Sequence, residues 1–343
     1  MLKIKQQKMN FLPHIYKIIV WIFIIAVSAS LSTFVNAKEL ADNKLYVFHP
    51  GINRINNTFL LSLVVALESQ ISSHKVEIVD TSKRTLAQLD SLTKQDHACA
   101  VTIGKSALQK VLTGRNSTPI FSTLVSKNEL DRFIETYGRL GSKLTGIYQE
   151  QSFKRQLLLS TAIDYNAKEI AVILGINSRY SLKKYQTVSQ SLGFDLFFNL
   201  LKHQSSPQRY FSKLAIKHGF LLILNDEEHY SIQDLQSLLV TSYKKQIPII
   251  GAKQSDTSIA AIASIYTPYQ SLVKETAKSI KSICKKSLQN TPQSMPLAKF
   301  NQNFAISINQ EIAKSLGYPT LDNKSLANRV QQLESKPLEA KTR

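Results

Sequence analysis

The chain has 343 residues, with 43 Lys or Arg against 24 Asp or Glu, a formal net charge of +19 and a hydrophobic fraction of 43%. That apolar content excludes a wholly disordered chain. Eleven Gly and ten Pro exclude a collagen-like or low-complexity chain, and two Cys exclude a disulfide-stapled scaffold or a Cys-rich zinc module. The length suits two domains of roughly 150 residues or one large one, while the charge is compatible with nucleic acid, an anionic membrane or a merely basic surface.

The first charged residues are Lys3, Lys5, Lys8 and Lys17, with no acid before Glu39. An apolar run from Ile18 to Leu31 follows, then Val35-Asn36-Ala37. This is the order of a secretory signal, with a basic region, an apolar region and small residues at a cleavage site. The apolar run is shorter than the roughly 20 residues a membrane-spanning helix needs. The expectation is a cleaved signal over 1–37 and a periplasmic protein, against the alternative of an inner-membrane anchor at 18–31. Export argues against a nucleic-acid partner. No Cys lies near Ala37 for lipid attachment. Cys99 sits in an apolar run and Cys284 on an apolar helix stripe, and buried free thiols are expected, although export permits a disulfide.

Beyond the signal, short apolar runs alternate with helix-period segments. Leu45–Phe48 reads as a strand and 57–70 as a helix with Leu60, Leu63, Val64 and Leu67 on one face. Strands follow at 76–79, 98–103 and 119–124, with helices at 85–92 and 104–112 between them. The pattern restarts after Tyr148: helix 153–163, strand 169–174, helix 180–192, strand 194–199, helix 207–217, strand 219–224, helix 232–244 and strand 248–250. The alternation predicts α/β architecture, a parallel sheet with helices on both faces, twice over. A last helix over 271–288 carries Val273, Ala277, Ile280 and Cys284 on one face and Lys274, Lys278, Lys281 and Lys285 on the next. The lysines read as a solvated face, with a membrane contact as the alternative. Residues 324–343 read as a polar tail.

Catalytic and metal motifs are sparse. Gly104-Lys105-Ser106 follows a strand and opens a helix, but the phosphate loop it resembles needs a Gly where Cys99 stands. A helix N-terminus suited to a polar or anionic group remains. The run from Asn225 and Asp226 to His229 clusters acids, yet consecutive side chains rarely converge on one metal. His49, His203 and His218 are isolated, and no Gly-x-Ser-x-Gly elbow occurs. No enzyme activity, metal or cofactor is expected. What does stand out is position: Gly104, Ser106, Ser122, Thr123, Asn177, Asn225, Asp226 and Gly251 lie at or after strand ends. In open parallel sheets, ligands bind outside the carboxyl ends of the strands.

These landmarks run in a familiar order. They comprise Val101-Thr102-Ile103-Gly104 with Ser106, Thr118-Pro119-Ile120-Phe121, Leu144-Thr145-Gly146-Ile147, Leu224-Asn225-Asp226, Ile247 to Gly251, and Ile306-Ser307-Ile308-Asn309. The series resembles the ABC-transporter substrate-binding proteins of the type I periplasmic binding protein fold, in the branch of uncharacterised transport-system periplasmic components. The resemblance implies two doubly wound parallel-sheet lobes joined by a hinge: 38–147 plus 268–295, and 148–267 plus 296–322, leaving 323–343 as a tail. It implies an interlobe cleft that closes on a small amino-acid-like ligand, with Thr145 and Ser255 joining Ser106, Thr123 and Asp226 in the cleft. It also implies an ABC permease or another membrane receptor as partner. A binding module that serves as sensor input or partner-binding protein, without a transporter, is the alternative. The chain departs from the family at Ile259-Ala260-Ala261-Ile262, where an Ala-Gly-Ala-Leu segment is usual, and at Leu144, where an Asn is usual.

Overall fold

The computed structural model describes residues 43–51, 57–95, 98–114, 118–139, 143–175, 178–202, 205–225, 230–288 and 295–335. The expected signal, Asn177 and Asp226 lie outside these residues. Among the described residues, no helix is long and apolar enough to cross a membrane.

The first lobe is a five-stranded sheet in the order β2-β1-β3-β4-β5. Its strands are β1 (Lys44–His49), β2 (Lys75–Asp80), β3 (Cys99–Ile103), β4 (Ile120–Val125) and β5 (Leu144–Tyr148), all parallel. Successive strand residues point to opposite faces, so the unbroken apolar run of β1 fits only a sheet covered on both sides. Leu45 and Val47 enter one core cluster and Tyr46 and Phe48 the other, all four fully buried. Helix α1 (Asn57–Gln70) covers the first face with Phe59, Leu60, Leu63, Val64 and Leu67. The opposite face carries α2 (Leu86–Thr93), α3 (Lys105–Leu112) and α4 (Lys127–Gly138). The alternation read from the sequence ended at residue 124; α4 and β5 extend it by one unit.

The second lobe is a six-stranded sheet in the order β11-β10-β9-β8-β6-β7. It comprises β6 (Glu169–Leu174), β7 (Asp195–Leu200), β8 (Gly219–Leu222), β9 (Ile249–Gly251), β10 (Ala263–Tyr266) and β11 (Ala305–Ile308). Only β11 runs antiparallel, beside β10. Helix α5 (Phe153–Ile163) fills one face and α7 (Pro207–Ser212) with α8 (Ile232–Lys245) the other, while α6 (Leu182–Ser191) flanks β7. The fold is therefore the expected pair of largely parallel α/β lobes.

Three features differ from the sequence reading. Cys99 and Cys284 form a disulfide, their Cα atoms 5.6 Å apart, rather than two free thiols. The pairing comes from helix α9 (Tyr269–Leu288), in the segment already assigned to the first lobe, which lies beside α1 and β3 and brings the apolar stripe of Cys284 onto the strand of Cys99. Residues 295–300 also stay with the first lobe: Lys299 pairs in parallel with Ile147, and Ala298 and Phe300 join its core. The polar C-terminal stretch is no loose tail over its first half. After the short α10 (Gln310–Ser315), residues Asn323–Ser335 form α11 and pack on α5. Leu326 and Val330 anchor α11, and burying each side chain stabilises it by about 1.5–3 kcal/mol. The lysines of α9 that are described, Lys274, Lys278, Lys281 and Lys285, are exposed, as expected of a solvated face.

Candidate functional site

The chain crosses between the lobes three times, near residues 148–152, 266–268 and 300–304. One side-chain knot ties the crossings together. Gln151 donates through Nε2 to Thr267 Oγ1 at 2.7 Å and to the Asn303 carbonyl at 3.1 Å. Arg155, one turn into α5, donates through Nη1 to Gln151 Oε1 at 2.6 Å and to the Asn301 carbonyl at 2.7 Å. Its Nε reaches both carboxylate oxygens of Glu334 on α11, at 3.0 and 3.1 Å, and the guanidinium lies 5.0 Å from the centre of the Phe304 ring. Thus a residue from each crossing, plus the C-terminal helix, converges on two side chains.

Among the described residues, cavities adjoin this hinge: one of about 690 Å³ beside Asp131, Tyr148, Arg155 and residues 295–302, and two chambers between the lobes that share Glu150 and Asn225. The smaller, about 130 Å³, is bounded by Lys127 and Asn128 at the start of α4, Phe153 of α5, Tyr185 and Val188 of α6, and Leu224. The larger, about 580 Å³, opens between the ends of β8, β9 and β10 and the start of α9; Lys253, Ser255, Tyr266 and Tyr269 line it. Glu150 and Asn225 line both. The lobes also touch beside the smaller chamber. Asn128 Nδ2 donates to Ser178 Oγ at 3.2 Å, and Ser181 Oγ donates to Asn128 Oδ1 at 3.1 Å.

Glu150 is the electrostatic centre. It accepts the Lys127 backbone N–H at 2.8 Å on Oε1 and Asn225 Nδ2 at 3.4 Å on Oε2. Neither donor carries a charge, and burial pushes its carboxyl up to about 7 despite them and the Lys127 charge. Lys127 is engaged elsewhere, in an ion pair with Asp131 and over the Tyr148 ring at 5.1 Å. Burial, with the hydrogen bond to Asp131 at 2.6 Å, raises the Tyr148 hydroxyl. Burial and then the Lys127 charge lower Lys184. Across the cleft, Asp256 shapes the wall of the larger chamber. Its Oδ2 accepts the N–H groups of Ala252 and Lys253 at 2.9 and 2.8 Å, and burial raises its carboxyl. Gly251 precedes that turn, and a Cβ there would lie 2.2 Å from Ser264 Oγ and 2.6 Å from Asp256 Cβ, so only glycine fits.

Of the residues expected in the cleft, the structure brings Asn225 and Ser255 together at the larger chamber. Gly104 opens α3 with a φ of 80° and Ser106 is exposed on its first turn; neither lines the two chambers. Ser122 and Thr123 are fully buried within β4, and among the described residues their hydroxyls meet no hydrogen-bond partner. Thr145 is turned away from both chambers: its hydroxyl donates to the Pro296 carbonyl at 2.6 Å, fastening the returning segment to β5. Sequence reasoning missed Glu150, Lys127 and Gln151. Glu150 and Gln151 lie two and three residues beyond β5, so the strand-end signal would have found them had 144–148 been assigned as a strand.

The sequence profile of the ABC transporter substrate binding protein family matches residues 46–329. The chain belongs to that family. Substrate-binding proteins also appear among similar solved structures. A ligand-free, open substrate-binding protein with adhesive properties from Clostridium difficile is 18% identical, with a TM-score of 0.62, covering 82% of this chain and 97% of that one. A Streptococcus pneumoniae ABC domain in complex with L-Trp is 15% identical, with a TM-score of 0.52, covering 83% and 98%. A Desulfitobacterium hafniense substrate-binding protein in complex with Leu is 11% identical, with a TM-score of 0.50, covering 77% and 96%. At these identities the likeness is one of fold. No curated protein matches the chain.

Proposed function

We propose that this substrate-binding protein captures a small amino-acid-like ligand between its lobes and hands it to an ABC-type uptake system. The observation that carries the reading is the pair of chambers at the strand ends of two lobes, joined at the half-buried Glu150 and Asn225. Concave sites lined by apolar side chains with a few convergent polar groups are the usual form of a small-molecule site. The L-Trp and Leu complexes among proteins of similar fold support an amino acid as the class to test first. Closure would bend the three crossings while the lobes stay rigid. The lysine run before an apolar segment supports export to the periplasm. A thermal-shift screen of the purified protein against the amino acids, purines and small organic acids tests the reading. A ligand at 100 times its dissociation constant stabilises by about 2.7 kcal/mol, a rise of several degrees. A screen without a single stabilising compound refutes it.

A further inference from the structure

We propose that Cys99, Cys284 and His74 form a zinc site when the disulfide is reduced, so that one point of the first lobe is fastened either by an S–S bond or by a Zn²⁺ ion. The site lies at the amino ends of the strands, away from the chambers at their carboxyl ends, and is independent of ligand capture.

The fold gathers the three groups from distant segments. Cys99 opens β3, Cys284 lies near the end of α9, and His74 immediately precedes β2. At this end of the sheet Leu45 of β1 pairs with Val76 on one side and with Cys99 on the other. Residues two apart along a strand share a face, so His74 falls on the face of Val76, Leu45 and Cys99, which α9 covers. A ring nitrogen of His74 and the two sulfurs all lie within 4.8 Å of one another. A tetrahedral Zn²⁺ with bonds of about 2.0–2.3 Å sets its N and S ligands about 3.5–3.8 Å apart. Side-chain rotation reaches that spacing once the S–S bond opens.

The chemistry selects the ion. Two thiolates and an imidazole are ligands for zinc, not for calcium or magnesium. Both cysteines are fully buried and His74 is 6% exposed. The sulfurs belong to an apolar core cluster with Ile71, Val101 and Ile283. An uncompensated charge in such surroundings is costly. Two thiolates cancel the charge of Zn²⁺, whereas with Cu⁺ they would leave a net negative charge. Ser73 Oγ meets His74 Nδ1 at 2.9 Å, while Nε2 is shielded from solvent. A hydrogen bond on one ring nitrogen that fixes the other as ligand is the usual setting of a metal-bound histidine. Water takes the fourth position, as in other zinc sites built from two cysteines and a histidine.

The exchange balances. A dithiol delivers two electrons and two protons to the S–S bond and closes to its own disulfide, leaving two protein thiols. Zn²⁺ then displaces both thiol protons to solvent and binds the thiolates.

The chain has only two cysteines, so a metal–thiolate signal reports this pair alone. The protein is reduced with excess dithiol in urea, freed of the dithiol and refolded under nitrogen. It is titrated with Zn²⁺ against a chromophoric chelator and, separately, with Co²⁺ followed by absorption. The expected result is one Zn²⁺ per reduced chain and a thiolate-to-cobalt charge-transfer band with tetrahedral d–d bands. Zinc at about 100 times its dissociation constant should raise the melting temperature of the reduced chain by about 5 °C. The oxidised protein shows none of these changes. His74→Ala and His74→Gln, each checked for folding by circular dichroism in the oxidised form, should bind zinc more than about 100-fold more weakly when reduced, a larger loss than a missing outer partner causes. If the reduced chain does not fold without metal, zinc restores its circular dichroism spectrum. The proposal is overturned by a reduced protein that binds no zinc, by equal binding to the oxidised protein or by unchanged binding in both His74 variants. Zinc that binds the reduced chain without raising its melting temperature or restoring its fold also overturns it.

Discussion

Replacing Arg155 by Ala should destabilise the protein far more than any single change on its surface. Arg155 is 6% exposed and supplies donors to Gln151, the Asn301 carbonyl and Glu334. Removing it strands the Gln151 and Asn301 oxygens, each at about 1–3 kcal/mol for a buried acceptor left unmet. It also removes the guanidinium from the Phe304 ring. Breaking a buried pair by deleting one partner typically costs about 3–5 kcal/mol, and that is the expected loss. Glu334→Gln should cost only about 1 kcal/mol, because the Glu334 side chain is 32% exposed and water replaces part of the interaction. Urea denaturation of both single variants and the double variant measures these losses. The double-mutant cycle should show a coupling of about 0.5–3 kcal/mol. An Arg155→Ala variant within about 1 kcal/mol of wild type, or fully additive single losses, would refute the hinge knot as an energetic unit.

Other outcomes follow from the same structure. The folded protein holds the Glu150 proton more tightly than the unfolded chain, so this carboxyl destabilises the unliganded fold as pH rises through the ordinary glutamate range. The penalty is complete above about 7. Lys127, Lys154, Lys184 and Lys253 share its two chambers, with Asp131 and Tyr148 behind Lys127. Glu150→Gln should therefore raise stability at pH 8 by up to about 3 kcal/mol and change little at pH 4, checked by thermal melts at both values. Reducing the Cys99–Cys284 disulfide, or replacing both residues by Ser, should cost about 2–5 kcal/mol, because the bond closes a loop of 185 residues. Melting with and without a reductant reads this directly. Gly251→Ala should destabilise by more than 1 kcal/mol and weaken ligand binding, since the added carbon collides with Ser264 and Asp256 at the turn that shapes the larger chamber.

Much of the architecture was legible because burial on both sheet faces leaves continuous apolar runs. The run Glu169 to Leu174 and helix 57–70 are read at their observed ends. Helix 207–217 was read too long; it ends at Ser212, and Leu214 and Ile216 pack into the core from an irregular segment. Helices α4 and α11 were missed for one physical reason. Each buries few apolar residues, Leu130 and Phe133 in the first and Leu326 and Val330 in the second, so their stripes are thin. The site was less legible than the fold. Asn225 and Ser255 carried a positional signal, but Ser122, Thr123 and Thr145 share that signal and are buried or bonded away from the chambers. Glu150 and Arg155 read as ordinary polar positions. Their roles arise from segments more than 70 residues distant that enclose them, namely Asn225 for one and Asn301 with Glu334 for the other. The disulfide likewise depends on the return of α9 to the first lobe, which spacing alone does not reveal.

The central claim is that a small molecule is held between the lobes at Glu150 and Asn225. A crystal structure grown with the most stabilising compound from the thermal screen tests it most directly. That compound should lie enclosed between the lobes, with a polar group within hydrogen-bond distance of Glu150 and Asn225. The compound bound on the outer surface of either lobe, with both chambers empty, would contradict it.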